Sequence, residues 1–349
     1  MNSVAKIHMS KIKIGIIGTG YMGGTHAQLY ARNERTEVHA IYDVKPERMQ
    51  RVSKQTGAKC MENGEQVIES CDAIVVTTPN SRHTKLTIAA ANAGKAVFSE
   101  KPMATNLTEA EAVLEASKNA KIFQVGHNRR FAPVYIKLKE LIADDKVHSA
   151  HIKMNRGELQ NPEWTGDTDV TGGFLYETTI HMFDMIRFQF GEVEEMIAFG
   201  SSRTYPEIDN FSVLLKFKNG LHATFCSAAD ASWIFPFERV EVFCEHRTIM
   251  TQEMENLTDS RGTNPNFEFF SWHLLSKEER WGYEQENEQF IDAILNESEP
   301  PVTALDGYKS VELVEACYKA VKTGERIKFS ESFQEDAKLQ EVAGSYRKL

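Results

Sequence analysis

Three groups of residues in this chain have types and spacings that could do chemistry. The first is Gly18-Thr19-Gly20-Tyr21-Met22-Gly23, directly after the apolar run Lys13–Ile17. Glycines so spaced between a strand and a helix suit the pyrophosphate of a dinucleotide. Gly18 permits the tight turn, Gly20 lets backbone approach the phosphates, and Gly23 lets helix pack close to strand. The free N–H groups of the helix start then face the anion. Asp43 ends the next apolar run, Val38–Tyr42. A carboxylate there accepts bonds from ribose hydroxyls and repels a 2′-phosphate. NAD is therefore expected over NADP, with Lys45 and Arg48 nearby.

The second group lies at the ends of two more strand-like runs. Thr77-Thr78-Pro79-Asn80 with His83 closes the run Ala73–Thr77, and Glu100-Lys101-Pro102 follows Ala96–Ser99. In an open parallel sheet, ligands bind at strand carboxyl ends. The hydroxyls could line a cofactor, or could simply cap the following helix. Lys101 could steady an alkoxide as its charge develops.

The third group runs from Gly172-Gly173 through Glu177 and His181 to Asp184. On an α-helix, Glu177 and His181 are i,i+4 neighbours on one face. A carboxylate there would orient the imidazole and favour its charged form. That suits a histidine removing a proton from an alcohol near neutral pH. No HExxH or other metal-ligand spacing occurs; His148 and His151, three apart on loop and strand, read as non-metal.

These residues need elements to position them. Up to residue 127, strand-like runs (Lys13–Ile17, Val38–Tyr42, Ala73–Thr77, Ala96–Ser99, Ile122–Val125) alternate with helical stretches. The helical stretches end near Arg32, cover Pro46–Thr56 and 81–93, and run to Asn119 behind a Thr108/Glu111 capping-box pattern. The alternation predicts a parallel sheet covered on both faces. The pattern then changes. A helix is expected over Ala132–Ile142 and another from Phe174 to Phe190. Strands are expected at Ala150–Asn155, Glu195–Gly200, Asn210–Phe217, Leu221–Ser227, Arg239–Cys244 and Arg247–Thr251, with Asn219-Gly220 as a hairpin turn. These predict a mainly antiparallel second sheet. Helices Tyr283–Leu295 and Gly307–Lys322 follow, then a charged tail.

The 349 residues suggest two domains: 11–127 for the dinucleotide, 128–330 for substrate and oligomerisation, and a tail at 331–349. A net charge of −10 argues against nucleic-acid or anionic-membrane partners. No apolar run is long enough for a membrane span, and Met1–Lys11 does not read as a secretory signal. Five scattered cysteines without a CxxC pair fit a reducing cytoplasm.

In order along the chain, GTGYMG, Asp43, TTPNSRH, SEKPMA, GHNRRF, GGFLYETTIHMFD, FKNG, YEQENEQF and ACYKAVKTGERI resemble one family. It is the glucose–fructose oxidoreductase/inositol dehydrogenase/MocA dehydrogenases, and the likeness spans roughly Lys11 to Phe329. The resemblance implies a Rossmann domain, a second domain on an open, mainly antiparallel sheet, and an active site in the cleft between them. It implies NAD(P)-dependent oxidation of a secondary hydroxyl of a sugar or cyclitol, or the reverse. Lys101 and His181 would be catalytic, with Glu177 where many relatives have Asp. Asn128, Arg129 and Arg130 match a segment that often contacts nicotinamide or substrate, and Tyr283 a tyrosine that often borders the substrate. Tyr176 and Thr178 replace the smaller or apolar residues common beside the acid.

NAD-dependent oxidation of a sugar, sugar phosphate or cyclitol is expected, with glucose 6-phosphate at C3 or an inositol as candidates. Arg129, Arg130, Lys153 and Arg156 could supply phosphate ligands. Two alternatives are an NAD(H)-binding redox-sensing regulator and a sugar oxidoreductase that retains its cofactor. Apolar residues alternating in FSVLLKF and LHATFC suggest a dimer or tetramer formed sheet to sheet.

Overall fold

The computed structural model describes residues 10–159, 162–234 and 237–329. The expected tail at 331–349 lies outside them.

Strands β1 (Ile12–Ile17), β2 (Thr36–Tyr42), β3 (Lys59–Cys60), β4 (Ala73–Val76), β5 (Ala96–Glu100) and β6 (Ile122–Gly126) form one sheet in the order 3-2-1-4-5-6. All its pairs are parallel. Between the strands run α1 (Tyr21–Arg32), α2 (Pro46–Thr56), α3 (Gly64–Ser70), α4 (His83–Asn92) and α5 (Leu107–Ser117). The strand order reverses between β1 and β4, where ligands of such sheets bind. β4 and β5 are buried at every position, as strands covered on both faces must be.

The start of α5 differs from the Thr108/Glu111 expectation. Asn106 is the cap, its side chain accepting from Glu109 N at 2.9 Å. Asn caps at least as well as Thr and stands two residues earlier. β3 and α3 gave no periodic signal. β3 is a two-residue exposed edge, and α3 has seven residues behind an Asn63 cap.

After α6 (Pro133–Ile142) comes the second sheet. Its strands are β7 (Ser149–Asn155), β8 (Val193–Ser201), β9 (Asn210–Phe217), β10 (His222–Ala228), β11 (Glu238–Cys244), β12 (Arg247–Gln252), β13 (Asn256–Arg261), β14 (Glu268–Ser271) and β15 (Ile327–Lys328). The order is 14-13-12-11-7-10-9-8-15. β7 and β10 run parallel, whereas β7–β11, β10–β9, β9–β8, β11–β12 and β12–β13 are antiparallel. The Asn219-Gly220 turn is present, with Gly220 at φ +88°. The alternating apolar residues Phe211, Val213, Leu215, Phe217, Ala223 and Phe225 are already buried within the chain. By register, Phe199, Leu214 and Phe243 share the opposite face, and Phe199 is 75% exposed.

The remaining helices are α7 (Thr168–Thr171), α8 (Ile180–Phe190), α9 (Lys277–Arg280), α10 (Tyr283–Asn296) and α11 (Ala304–Thr323). The helix expected from Phe174 to Phe190 is not uniformly α. Leu175–Thr179 winds as a π-turn, and α-geometry begins only at Ile180.

The chain packs as two compact units that do not follow its order. Among the described residues, one comprises 10–137, 159, 162–185 and 271–314; the other comprises 138–158, 186–234, 237–270 and 315–329. The expected division at 127/128 separates the two sheets but not the packing. Phe290, Ile291, Ala293 and Ile294 of α10 belong to the core built on β1, β4 and β5. Apolar residues on one face of α10 thus join the dinucleotide unit. No helix among the described residues is long and apolar enough to cross a membrane. No His, Cys, Asp and Glu among them cluster as a metal site.

Candidate active site

The glycine loop is built as its chemistry requires. Gly18 has φ +95°, and a Cβ there would lie 2.6 Å from Thr77 O. At Gly23 a Cβ would lie 1.9 Å from Gly18 O. The chain's own packing therefore demands both glycines. Gly20 differs: nothing lies nearer its Cβ position than Arg48 Nη1 at 3.9 Å. Open space at the middle glycine is the cradle a pyrophosphate would fill, at the start of α1. The loop fits the dinucleotide.

Its walls are tied together. Thr77 Oγ1 donates to Gly18 O at 2.6 Å. Asp43 Oδ2 accepts Thr19 N at 2.7 Å, and Oδ1 accepts Lys45 N at 2.9 Å. The Asp43 carboxylate thus shapes the loop as well as standing at the end of β2. Arg51, on α2, donates to Thr19 O at 2.9 Å and Gly20 O at 3.3 Å. Sequence reasoning missed Arg51; its position on the helix just after Asp43 was the available signal.

Thr78 Oγ1 pairs with His83 Nδ1 at 3.0 Å. His83 is buried, and burial pulls its pKa down to about 4. Its imidazole is a neutral hydrogen-bonding group here. Pro79 starts the short turn Asn80–Arg82. Asn80 Nδ2 donates to Glu177 Oε2 at 2.8 Å and to Thr171 O at 3.0 Å.

Lys101 follows β5, and its Nζ donates to the Glu177 carbonyl at 2.9 Å. Lys101, Glu177 and His181 are all partly exposed within one unit. Glu177 lies within the π-turn, and its carboxylate is held by Asn80 rather than by the expected His181 partner. His127 stands beside His181, the two rings edge-on at 6.4 Å. His127 is buried, and burial lowers its pKa, with Asp184 opposing. It was overlooked inside GHNRRF.

Several of the expected ligands also have partners within the chain. Glu100 is 6% exposed and bonded to His26 and to Lys101 N. Asn128 is buried and donates to Trp281 O at 2.8 Å. Arg129 is 2% exposed, its guanidinium 5.7 Å over the Trp281 ring. Arg130 reaches Asp184 at 2.6 Å and Asp306 at 2.9 Å. Burial works against the charge of Arg130, but these carboxylates hold its proton more firmly than usual. Tyr283 heads α10 half-buried, its phenol pKa raised by burial and by Glu100. Arg156 belongs to the other unit, with its guanidinium 5.4 Å over Phe237. His151 bonds Thr224 at 2.6 Å, an ordinary sheet contact.

The geometry agrees with what the chain is similar to. A model described as an oxidoreductase family NAD-binding Rossmann fold (GFO_IDH_MocA) matches residues 12–127. Its companion, a C-terminal alpha/beta domain, matches 139–329. Myo-inositol 2-dehydrogenase of Thermotoga maritima is 29% identical over 92% of this chain and 99% of its own. Inositol 2-dehydrogenase of Rhizobium meliloti is 25% identical over 90% and 98%. Levoglucosan dehydrogenase in complex with NADH shares the fold, with a TM-score of 0.83 at 20% identity, covering 93% of this chain and 100% of its own.

Proposed function

Because the chain belongs to the GFO/IDH/MocA family of NAD-dependent dehydrogenases, we propose that it oxidises a secondary hydroxyl of an uncharged sugar or cyclitol to the ketone. Named relatives that act on inositols support the class. The observation that favours an uncharged substrate is the fate of the arginines. Arg130 is committed to Asp184 and Asp306, and Arg129 is buried over Trp281. A sugar phosphate such as glucose 6-phosphate would need such cations open to it.

In this reading His181 takes the hydroxyl proton, while Lys101 steadies the oxygen through its ammonium. Glu177 fixes the lysine through its carbonyl and is itself fixed by Asn80. NAD, when bound, supplies the hydride acceptor. The chain's own part is orientation, charge and proton transfer.

The deciding experiment measures NADH formation with inositols, neutral sugars and their phosphates. An inositol or neutral sugar should be preferred. Higher kcat/KM for glucose 6-phosphate than for every neutral compound would overturn the uncharged-substrate reading. His181→Ala should lower kcat by about 10²–10⁴-fold while NADH still binds. Near-normal turnover would remove His181 from the mechanism. Free NADH released over many turnovers excludes a retained cofactor, and turnover of any kind argues against a pure redox sensor.

The exposed face carrying Phe199, Leu214 and Phe243 is expected to pair with a second copy. Light scattering should show a dimer or tetramer at micromolar concentration.

A further inference from the structure

His26, on α1, is completely buried. Its Nε2 lies 3.0 Å from Glu100 Oε1, and its Nδ1 lies 2.8 Å from Asn287 Oδ1. The other Glu100 oxygen, Oε2, accepts the backbone N–H of Lys101 at 3.0 Å. Three bonds therefore join α10, α1 and the peptide of Lys101. Phe98 packs on the imidazole at 5.0 Å, and the Tyr283 ring meets it edge-on at 6.4 Å.

The arrangement has a reason at the strand end. Pairing of β5 with β6 stops at Glu100 opposite Gly126. The next N–H, that of Lys101, has run out of sheet and takes the Glu100 carboxylate. Gly126 makes room, since a Cβ there would lie 3.2 Å from Glu100 Oε2. The charge on Glu100 needs explaining, because a buried carboxylate is costly without a partner. Burial would raise its pKa, but the His26 hydrogen bond and charge bring it below the usual value. Glu286, also buried, is pushed up by burial and by Glu100. Of these two acids, Glu100 keeps the negative charge. The Glu100 carboxylate can only accept, so the His26 Nε2–H donates to it.

Resting on the reading of Lys101 as catalytic, we propose that His26 is a positioning residue. It holds the Glu100 carboxylate, which fixes the Lys101 peptide and so aims the ammonium at the reacting oxygen. A filler role would suit an apolar pair better, since replacing both partners of a buried hydrogen bond by apolar groups of the same shape can be neutral or stabilising.

The test compares kcat, KM and NADH affinity by fluorescence titration in His26→Ala, His26→Gln, Lys101→Ala and the Lys101→Ala/His26→Ala pair. His26→Ala should lower kcat roughly 10–100-fold, the worth of a hydrogen bond to a charged group, with NADH affinity and KM little changed. His26→Gln, whose amide can still donate to Glu100, should recover part of the loss. In the Lys101→Ala background, removing His26 should cost nothing further, because its effect runs through the lysine. A further loss there would mark a general structural role and overturn the proposal. So would a normal His26→Ala beside an impaired Lys101→Ala. Normal turnover of Lys101→Ala alone would instead overturn the catalytic reading. Should His26→Ala fail to fold, Asn287→Ala is expected to show the same pattern at smaller size, and additivity with Lys101→Ala would again refute it.

Discussion

The Asn80 side chain binds the Glu177 carboxylate at 2.8 Å, joining the segment after β4 to the π-turn ahead of α8. The acid is thus placed by an amide on another strand end, rather than by the histidine four residues on. Asn80→Ala should leave this carboxylate without that donor and lower kcat roughly 10–100-fold, given about 1.5–3 kcal/mol for a hydrogen bond to a charged group. Asn80→Asp should be worse, because two carboxylates would face each other. Glu177→Gln should be milder, since its amide oxygen still accepts from Asn80. Wild-type kcat in Asn80→Asp would refute this role.

The two glycines at the start of α1 should separate binding from folding. At Gly20 a Cβ meets nothing nearer than 3.9 Å, so Gly20→Ala should leave thermal stability nearly unchanged. It should nonetheless weaken NADH binding ten-fold or more, because close backbone approach to the pyrophosphate is lost. Gly23→Ala would place a Cβ 1.9 Å from Gly18 O and should lower the melting temperature. Fluorescence titration and thermal denaturation check the pair. Equal NADH affinity in Gly20→Ala and wild type would contradict the cradle.

Much of this was legible in sequence, for identifiable reasons. The buried strands β1, β4 and β5 show as apolar runs because both faces are covered. The glycine loop shows because Gly18 and Gly23 answer to local geometry. What was hidden depends on tertiary contact. Asn287 meets His26 across 261 residues of sequence, and no local pattern carries that. The i,i+4 argument for Glu177 and His181 did not foresee Asn80, which reaches the carboxylate from 97 residues away in sequence. Within the basic run at Arg129-Arg130, the carboxylates that meet Arg130, Asp184 and Asp306, come from distant parts of the chain. The alternating apolar residues of β9 and β10 were real core positions, but their partner was this chain rather than a second copy.

The Arg130–Asp184 pair should be a stability element. Its side chains are 9% and 0% exposed. Removing one partner from a buried pair strands the other charge, at a cost of about 3–5 kcal/mol. Asp184→Ala should therefore shift the denaturation midpoint strongly, even with Asp306 still near Arg130. The apolar replacement Arg130→Met/Asp184→Leu should be less destabilised than Asp184→Ala. A midpoint for Asp184→Ala close to wild type would contradict this.

His83 should make folding stability depend on pH. Burial lowers its pKa from 6.5 to about 4. Below pH 6.5 the unfolded chain takes up a proton that the folded chain refuses until about pH 4. The unfolded state then binds more protons, so stability falls as pH drops through this window. At higher pH the contribution is fully present. A shift of this size corresponds to about 3 kcal/mol, at 1.36 kcal/mol for each pKa unit. Substituting His83→Gln removes the titration while keeping a polar group near Thr78. Its unfolding free energy between pH 7 and pH 4 should fall less steeply than that of the wild type. NMR titration of His83 should show it neutral at pH 6, and an ordinary imidazole pKa there would sink the prediction.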